Sequence, residues 1–431
     1  MGALTELDDR AIDALHEQAA ISYGTFKKRE VRLNMARGKP ALEQLDLVER
    51  LLDLPGRGNH MAHDATDCRN YGGIEGLAEA RALYARLIGA RPENTMVGGN
   101  SSLALMHDNI VYSMLKGNPS SPLPWNRAGR IRFLCPTPGY DYHFNMTEEY
   151  GIQMISVPLG EDGPDMDRVE ALVAEDAAIK GMWCVPKYSN PTGAVYSDAV
   201  IERLARMPAA APDFRIFWDN AYIMHHLTDE RIETANLLTA CERAGNPDRA
   251  LMFMSTSKIT FPGAGLAVFA SSETNMRWFL ASASRRSIGP DKVNQLRHMC
   301  ALPDESALYA LMDQYRAIIA PKFDAVYGTF DRLLGDPRVA TWTRPKGGYF
   351  ISLYADGCAR RTVELAGEAG IALTPTGAAF PYRNDPDDRH IRVAPTTLSA
   401  DEVGLAAEGI ALAVRLAASE REKARRSLRV T

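Results

Sequence analysis

Lys258 closes the run Ser255-Thr256-Ser257-Lys258, directly after the apolar stretch Leu251-Met252-Phe253-Met254. A lysine at a strand end, beside small hydroxyl residues and ahead of Pro262-Gly263, can reach into a cleft while its neighbours hydrogen-bond an anion. Its amine can hold an aldehyde as a Schiff base. Taken alone the signal is weak, because most lysines that follow a strand are merely solvated. Asp219 ends a second apolar run, Phe214–Asp219, and is followed by Asn220-Ala221-Tyr222. A carboxylate there can keep a heteroaromatic nitrogen protonated and make the ring an electron sink, with Tyr222 donating to a ring oxygen. The bland alternative is an aspartate that caps the next helix.

Three weaker signals accompany these. Ser189-Asn190-Pro191-Thr192-Gly193 follows Val185-Pro186 and is turn chemistry by composition. Gly98-Gly99-Asn100-Ser101-Ser102 opens a helical run, where exposed N–H groups and the helix dipole favour an anion. Arg392 is a charge inside the apolar strand Ile391–Pro395, so it needs a carboxylate from the protein or from a ligand. Each has an ordinary structural explanation, but their order is harder to dismiss. Asn190 to Asp219 is 29 residues and Asp219 to Lys258 is 39, about one strand–helix unit each.

The elements that must carry these residues are legible as short apolar runs alternating with helical segments. Ile131–Pro136, Met154–Leu159, Gly181–Pro186, Phe214–Asp219, Leu251–Ser255 and Leu266–Ala270 predict buried parallel strands joined by βαβ crossovers. Ahead of them, residues 5–30 predict an amphipathic helix with Ile12, Leu15, Ala19, Tyr23 and Phe26 on one stripe. A turn at Gly38–Pro40 and a further helical stretch to Leu54 follow. The last third predicts a long helix over 304–335 and a strand over Gly347–Leu353. Strands near Ile371–Pro375 and His390–Ala394 come next, then a closing helix capped by Ser399. The fold class is α/β with a mostly parallel central sheet, plus a smaller α+β domain built from both chain ends. The expected division is 1–55 as helical arm and part of the small domain, 56–320 as the large domain, and 321–431 as the rest of the small one.

Bulk properties exclude several functions. The net charge of −5 and pI near 6.0 offer no basic field for nucleic acid. Six widely spaced cysteines without a CxxC pair suggest neither a zinc site nor a disulfide framework. The start of the chain is polar, and no apolar run reaches the roughly 18 residues that span a membrane. These features predict a cytoplasmic protein with no metal.

The ordered set resembles the fold-type I, pyridoxal-phosphate-dependent aminotransferases of class I/II. It is most similar to a divergent aspartate aminotransferase subgroup related to the C-terminal domains of MocR-type regulators. Tyr71-Gly72-Gly73-Ile74-Glu75-Gly76-Leu77, Pro138-Gly139-Tyr140-Asp141, Phe217–Tyr222, Ser287–Lys292 and Ile391–Pro395 carry the likeness, which runs from about residue 30 to 415. The resemblance implies a three-layer architecture and pyridoxal 5'-phosphate (PLP) bound through Lys258, which then serves as the general base. It implies Asp219 on the pyridine nitrogen, Asn190 and Tyr222 on the ring oxygen, and Tyr140 stacked on the ring. Gly99, Asn100, Ser101, Ser255 and Ser257 would cradle the phosphate. Tyr71 would reach the phosphate of a neighbouring subunit, so a homodimer with shared active sites is expected. Arg392 would clamp the substrate α-carboxylate, with Gly38 lining the same pocket.

Two positions depart from the family pattern. The arginine that most relatives carry seven or eight residues after the lysine is replaced by Gly265 and Leu266, a loss the close subgroup shares. Residue 142 is Tyr in a stretch where relatives often have a basic residue. The implied activity is ping-pong transamination (EC 2.6.1.-) between an L-amino acid, with aspartate favoured, and 2-oxoglutarate. A distal carboxylate would need a second cation, for which Arg37, Arg285, Arg286, Lys292 and Arg344 are candidates. Aromatic, 2-aminoadipate or broad specificity and a PLP lyase are the alternatives. A PLP-binding regulator is disfavoured, because about thirty residues before the Gly-Lys-Pro turn leave no room for a DNA-binding module.

Overall fold

The computed structural model describes residues 4–335 and 339–430, so 1–3, 336–338 and 431 of the expected terminal domains lie outside the described residues. Its centre is an eight-stranded sheet. The spatial order is Thr95–Val97, Ala267–Ser271, Ala250–Ser255, Arg215–Asp219, Ile179–Cys184, Arg132–Thr137, Gln153–Gly160 and Gly163–Pro164. Five consecutive strands, from Ala250–Ser255 to Gln153–Gly160, pair in parallel. All six apolar runs form strands, but the last is not parallel as expected. Ala267–Ser271 runs antiparallel to both neighbours. The eleven residues 256–266 between the two strands are too few for a crossover helix, so the chain returns as a hairpin-like partner. Thr95–Val97 and Gly163–Pro164 are strands that were not anticipated, being short and weakly patterned.

Both faces of the sheet are buried, and alternate residues feed two apolar clusters. Leu134, Met182, Cys184, Ile216, Trp218, Met252 and Met254 join one. Phe133, Cys135, Trp183, Phe217, Leu251 and Phe253 join the other. Period-two alternation between two dry layers explains why these strands read as continuous apolar runs. It also fixes every parallel strand end at one edge of the sheet, where ligands of open α/β sheets bind.

A third cluster gathers Ala19, Tyr23, Phe26, Leu33 and Met35 with residues from Ile319 to Ala418. Three residues of the stripe predicted on the first helix, Asp9–Lys27, pack here, and the other two, Ile12 and Leu15, are also buried. Leu33–Asn34 pairs in parallel with Ile371–Ala372, and Thr341–Trp342, Ile351–Tyr354 and His390–Val393 form a separate antiparallel sheet. The strand expected from Gly347 begins only at Ile351, because the chain turns through Gly348 at φ +86°. The helix expected up to Leu54 is two short turns, Leu42–Asp46 and Glu49–Leu52. The long helix is Glu305–Leu334, and the closing helix Ala400–Val430 starts at a reciprocal Ser399–Glu402 cap.

One buried polar group pins the strand that delivers Asp219. Asp213, two residues before that strand, accepts from Lys180 Nζ at 2.6 Å, Ser121 Oγ at 2.8 Å and Trp125 Nε1 at 2.9 Å. Lys180 belongs to the adjacent parallel strand, so the pair ties two strands at the edge opposite the candidate site. Replacing Asp213 with alanine leaves the buried ammonium unpaired, a loss of about 3–5 kcal/mol. Chemical denaturation should show a lower midpoint for Asp213→Ala; an unchanged midpoint contradicts this role.

Candidate active site

The parallel strand ends converge on one cavity of about 350 Å³. Its lining includes Gly38, Tyr140, Asn190, Asp219, Tyr222, Lys258 and Arg392, which the sequence singled out from distant segments. Asp219 is 2% exposed and accepts from His143 Nε2 through Oδ2 at 3.2 Å. Its Oδ1 is buried without a partner, and so is Oδ1 of Asn190. Buried polar oxygens of this kind call for a ligand that donates to them.

His143 was not anticipated. It lies in the first turns of the helix Asp141–Glu149 and stacks on Trp183, with ring centroids 4.3 Å apart and planes at 9°. Trp183 Nε1 donates to Thr147 Oγ1 at 2.8 Å, and that hydroxyl donates to the His143 carbonyl at 2.6 Å. The imidazole is therefore fixed in plane and in depth before it meets Asp219. Tyr140 packs its edge against His143 at 4.9 Å.

Lys258 is half-buried, with Nζ 4.8 Å from the centroid of the Tyr222 ring. Burial lowers its pKa, and the negative charge of Asp219 opposes that shift in part. Its carbonyl is held by His225 Nε2 at 3.2 Å and by the Tyr349 hydroxyl at 3.4 Å. Burial pushes His225 down to about 3, so that ring is neutral. Burial also pushes the Tyr222 phenol well above its ordinary range, which keeps it a proton donor at neutral pH.

Arg392 is 8% exposed and finds its carboxylate within the protein, since Nη1 donates to Asp141 Oδ1 at 2.9 Å. Nε and Nη2 both reach Thr374 Oγ1, at 3.3 and 3.2 Å. A guanidinium carries five N–H groups. One on each terminal nitrogen is left, the number a bidentate carboxylate needs. Gly38 faces Phe350 so closely that a Cβ would sit 2.6 Å from the ring, and Phe350 lies 5.1 Å under Arg392.

The glycine- and serine-rich segments meet each other beside this cavity but do not line it. Ser257 Oγ donates to the Asn100 carbonyl at 3.4 Å, and Asn100 Nδ2 donates to the Gly263 carbonyl at 3.2 Å. Ser255 Oγ donates to Ser257 Oγ, and Gly99 has open space where a side chain would be. Ser101 caps the helix Ser102–Lys116 by accepting from Ala104 N, leaving its own O–H free to donate. Tyr71 is 82% exposed and lies off the cavity of its own chain. Its loop is fastened by Lys292 Nζ, which donates to the Asn70 and Gly72 carbonyls at 2.7 and 2.6 Å. No cluster of ligating side chains suited to a metal occurs among the described residues.

The structure also accounts for the missing arginine. A Cβ on Gly265 would lie 2.9 Å from Thr256 Oγ1 and 3.1 Å from the Phe261 carbonyl, while Leu266 is 1% exposed in the apolar core. Thr256 Oγ1 already accepts from Leu266 N at 2.8 Å. Gly265→Arg should therefore destabilise the fold by about 1–3 kcal/mol rather than graft an anion ligand. A variant that melts at the wild-type temperature would show that the loop has room.

With this geometry in place, the chain can be compared with known proteins. Residues 7–426 match the family model described as aspartate amino-transferase. The aspartate aminotransferase of Corynebacterium glutamicum is 46% identical over 419 residues, covering 97% of each chain. A crystal structure of an aspartate transaminase from that organism superposes with a TM-score of 0.95 over 97% of this chain and 99% of its own. More distant is an α-aminoadipate aminotransferase of Thermus thermophilus, crystallised with N-(5'-phosphopyridoxyl)-L-leucine. It shares the fold at 22% identity and a TM-score of 0.72, over 92% of this chain and 96% of its own. The fold is the mixed, largely parallel α/β architecture of fold-type I aminotransferases, and the chain belongs to the aspartate aminotransferase family as an enzyme of class EC 2.6.1.-.

Proposed function

We propose that the enzyme moves an amino group between L-aspartate and 2-oxoglutarate with PLP held at Lys258, in a homodimer whose sites are shared. The convergence of Lys258, Asp219, Asn190, Tyr222 and Arg392 on one cavity, with two buried oxygens open to a ligand, carries this reading. The donor set fits PLP: a lysine amine for the aldehyde, a carboxylate for the pyridine nitrogen, and an amide and a phenol for the ring oxygen. Gly99, Asn100, Ser101, Ser255 and Ser257 offer N–H and O–H donors for the phosphate, and exposed Tyr71 is available to a second subunit. Bound there, PLP supplies the electron sink that makes the substrate Cα–H acidic.

The rest of the chemistry belongs to the chain. Arg392 orients the substrate through its α-carboxylate, using its remaining N–H pair. Lys258, favoured in its neutral form by burial, would take the proton from the substrate Cα and deliver one to the carbon on the other side of the amino nitrogen, a 1,3-shift. Asp219, steadied by His143, would face the ring nitrogen and favour the protonated ring. Tyr222 stays protonated and donates. The aspartate assignment rests on family membership and on the C. glutamicum relatives.

Addition of PLP should produce a visible or near-ultraviolet absorbance band that Lys258→Ala lacks. A purified protein that never takes up PLP contradicts the cofactor assignment. Single-turnover screening with amino acids should discharge that band with aspartate and glutamate. Success with a neutral amino acid alone would overturn the aspartate assignment. Because burial favours the neutral amine, uptake of PLP by the cofactor-free protein should rise with pH through a midpoint below the ordinary lysine value of 10.5. A midpoint at or above that value would show that Lys258 is not desolvated.

A further inference from the structure

The edge of the central sheet opposite the active site borders another cavity, of about 340 Å³. Arg215 and Arg249 both line it. Arg215 opens the strand Arg215–Asp219, and Arg249 directly precedes Ala250–Ser255. Ile216 pairs with Ala250, so the two arginines stand side by side, one residue earlier, on parallel strands about 5 Å apart. Like charges placed this way in a sheet disfavour each other.

Arg215 is 2% exposed and Arg249 8%, and neither pairs with a carboxylate among the described residues. Their bonds go to backbone carbonyls instead. Arg215 donates to Phe214 at 3.1 Å and to Pro119 at 2.6 Å, while Nη1 of Arg249 donates to Leu204, Ala205 and Met207 at 3.1, 2.9 and 2.8 Å. A guanidinium carries five N–H groups. Arg215 Nε is buried without an acceptor, and Nε and Nη2 of Arg249 have none among the described residues. Burial pushes Arg215 down to about 10; Asp248 and Asp213 offset this in part, and Arg249 adds to it. Stapling of loops accounts for the carbonyl contacts but not for the doubled charge, since uncompensated buried cations are costly.

We propose that this cavity binds a dianionic oxyanion of the phosphate type, either free phosphate or a small phosphomonoester. Arg206 adds a third, exposed guanidinium to the lining, and its Nε donates only to the Glu202 carbonyl, at 3.3 Å. Asp248 is the one acidic group on the wall among the described residues, and it accepts from Ser272 Oγ. Three guanidiniums against one carboxylate leave two positive charges over. A phosphate group carries roughly −1.5 to −2 at neutral pH and matches them, whereas a monocarboxylate would leave one cation unmatched. Its oxygens also suit the planar fork of arginine.

Met207, Pro208, Pro212 and Phe214 make much of the remaining wall apolar, which leaves room for the small organic body of an ester. The two strands that begin at this cavity end at Asp219 and at Ser255, three residues before Lys258. A ligand here therefore clips together the starts of the strands whose ends deliver the candidate active site. Anything that binds the folded chain in this way also stabilises it.

The test is calorimetric titration of the PLP-loaded enzyme with inorganic phosphate and with glycerol 3-phosphate, at constant ionic strength in chloride. Wild type should bind saturably. Ser120→Glu keeps both arginines and sets a carboxylate on the exposed part of the lining, beside Pro119, so binding should weaken about 10- to 100-fold. Arg249→Met should weaken it as much; if that variant fails to fold for want of its three carbonyl contacts, Ser120→Glu decides. Arg392→Met removes an arginine of the active-site cavity and should leave this binding unchanged. Tighter binding of glycerol 3-phosphate would identify an ester as the occupant, and the reverse order free phosphate. No saturable binding in wild type, binding that Ser120→Glu leaves intact, or binding that Arg392→Met abolishes overturns the proposal.

Discussion

A carboxylate that is 2% exposed between two apolar layers is tolerated only if both of its oxygens have partners. At Asp219 the chain supplies one of them, and much of the surrounding architecture exists to supply it accurately. The His143 ring must arrive from a helix that follows a different strand, so Trp183 beneath it and Thr147 behind it fix its plane. Trp183 in turn is held by the layer that contains Phe133 and Phe217. The second oxygen is left to a ligand, and the cavity over it is where the other strand ends deliver Asn190, Tyr222 and Lys258. Misplacing any strand in the parallel set would move one of these groups away from the carboxylate.

The parts that were legible in the sequence are those whose physics is local. An apolar run buried on both faces needs no partner to be recognised, so all six long strands were found. Asp219 and Lys258 stood out because they are polar groups at the ends of such runs. Direction was not legible: Ala267–Ser271 has the composition of its parallel neighbours, and only the short loop after Lys258 distinguishes it. Site residues defined by contact were also invisible. His143 reads as an ordinary helix residue, and its partner lies 76 positions away. Asp141 and Arg392 are 251 positions apart, and nothing near either announces the pair.

Charge around the cavity is distributed rather than concentrated. Arg392 is partly neutralised by Asp141 and propped by Thr374, so it can stay buried before any substrate arrives. The glycine- and serine-rich segments proposed for the phosphate follow the same logic. Gly265 closes the loop after Lys258 against Thr256, and Asn294 Nδ2 fastens that loop by donating to the Ala264 and Gly265 carbonyls at 3.0 Å. Backbone amides and hydroxyls can surround an anion from several sides once their positions are fixed, which is an alternative to one strong charge.

The parallel pairing of Leu33–Asn34 with Ile371–Ala372 bears on how the two chain ends meet the cavity. Arg37 follows the first of these strands, and Thr374, which props Arg392, follows the second. The Thr374 hydroxyl donates to the Ala36 carbonyl at 2.6 Å, and Ala394 N donates to the Met35 carbonyl at 2.9 Å. Arg37 and the threonine that props Arg392 are thus both tied to this strand pair, while Lys258 and Asp219 belong with the central sheet. A shift of this pair would therefore move Arg37 and Thr374 together relative to the central sheet.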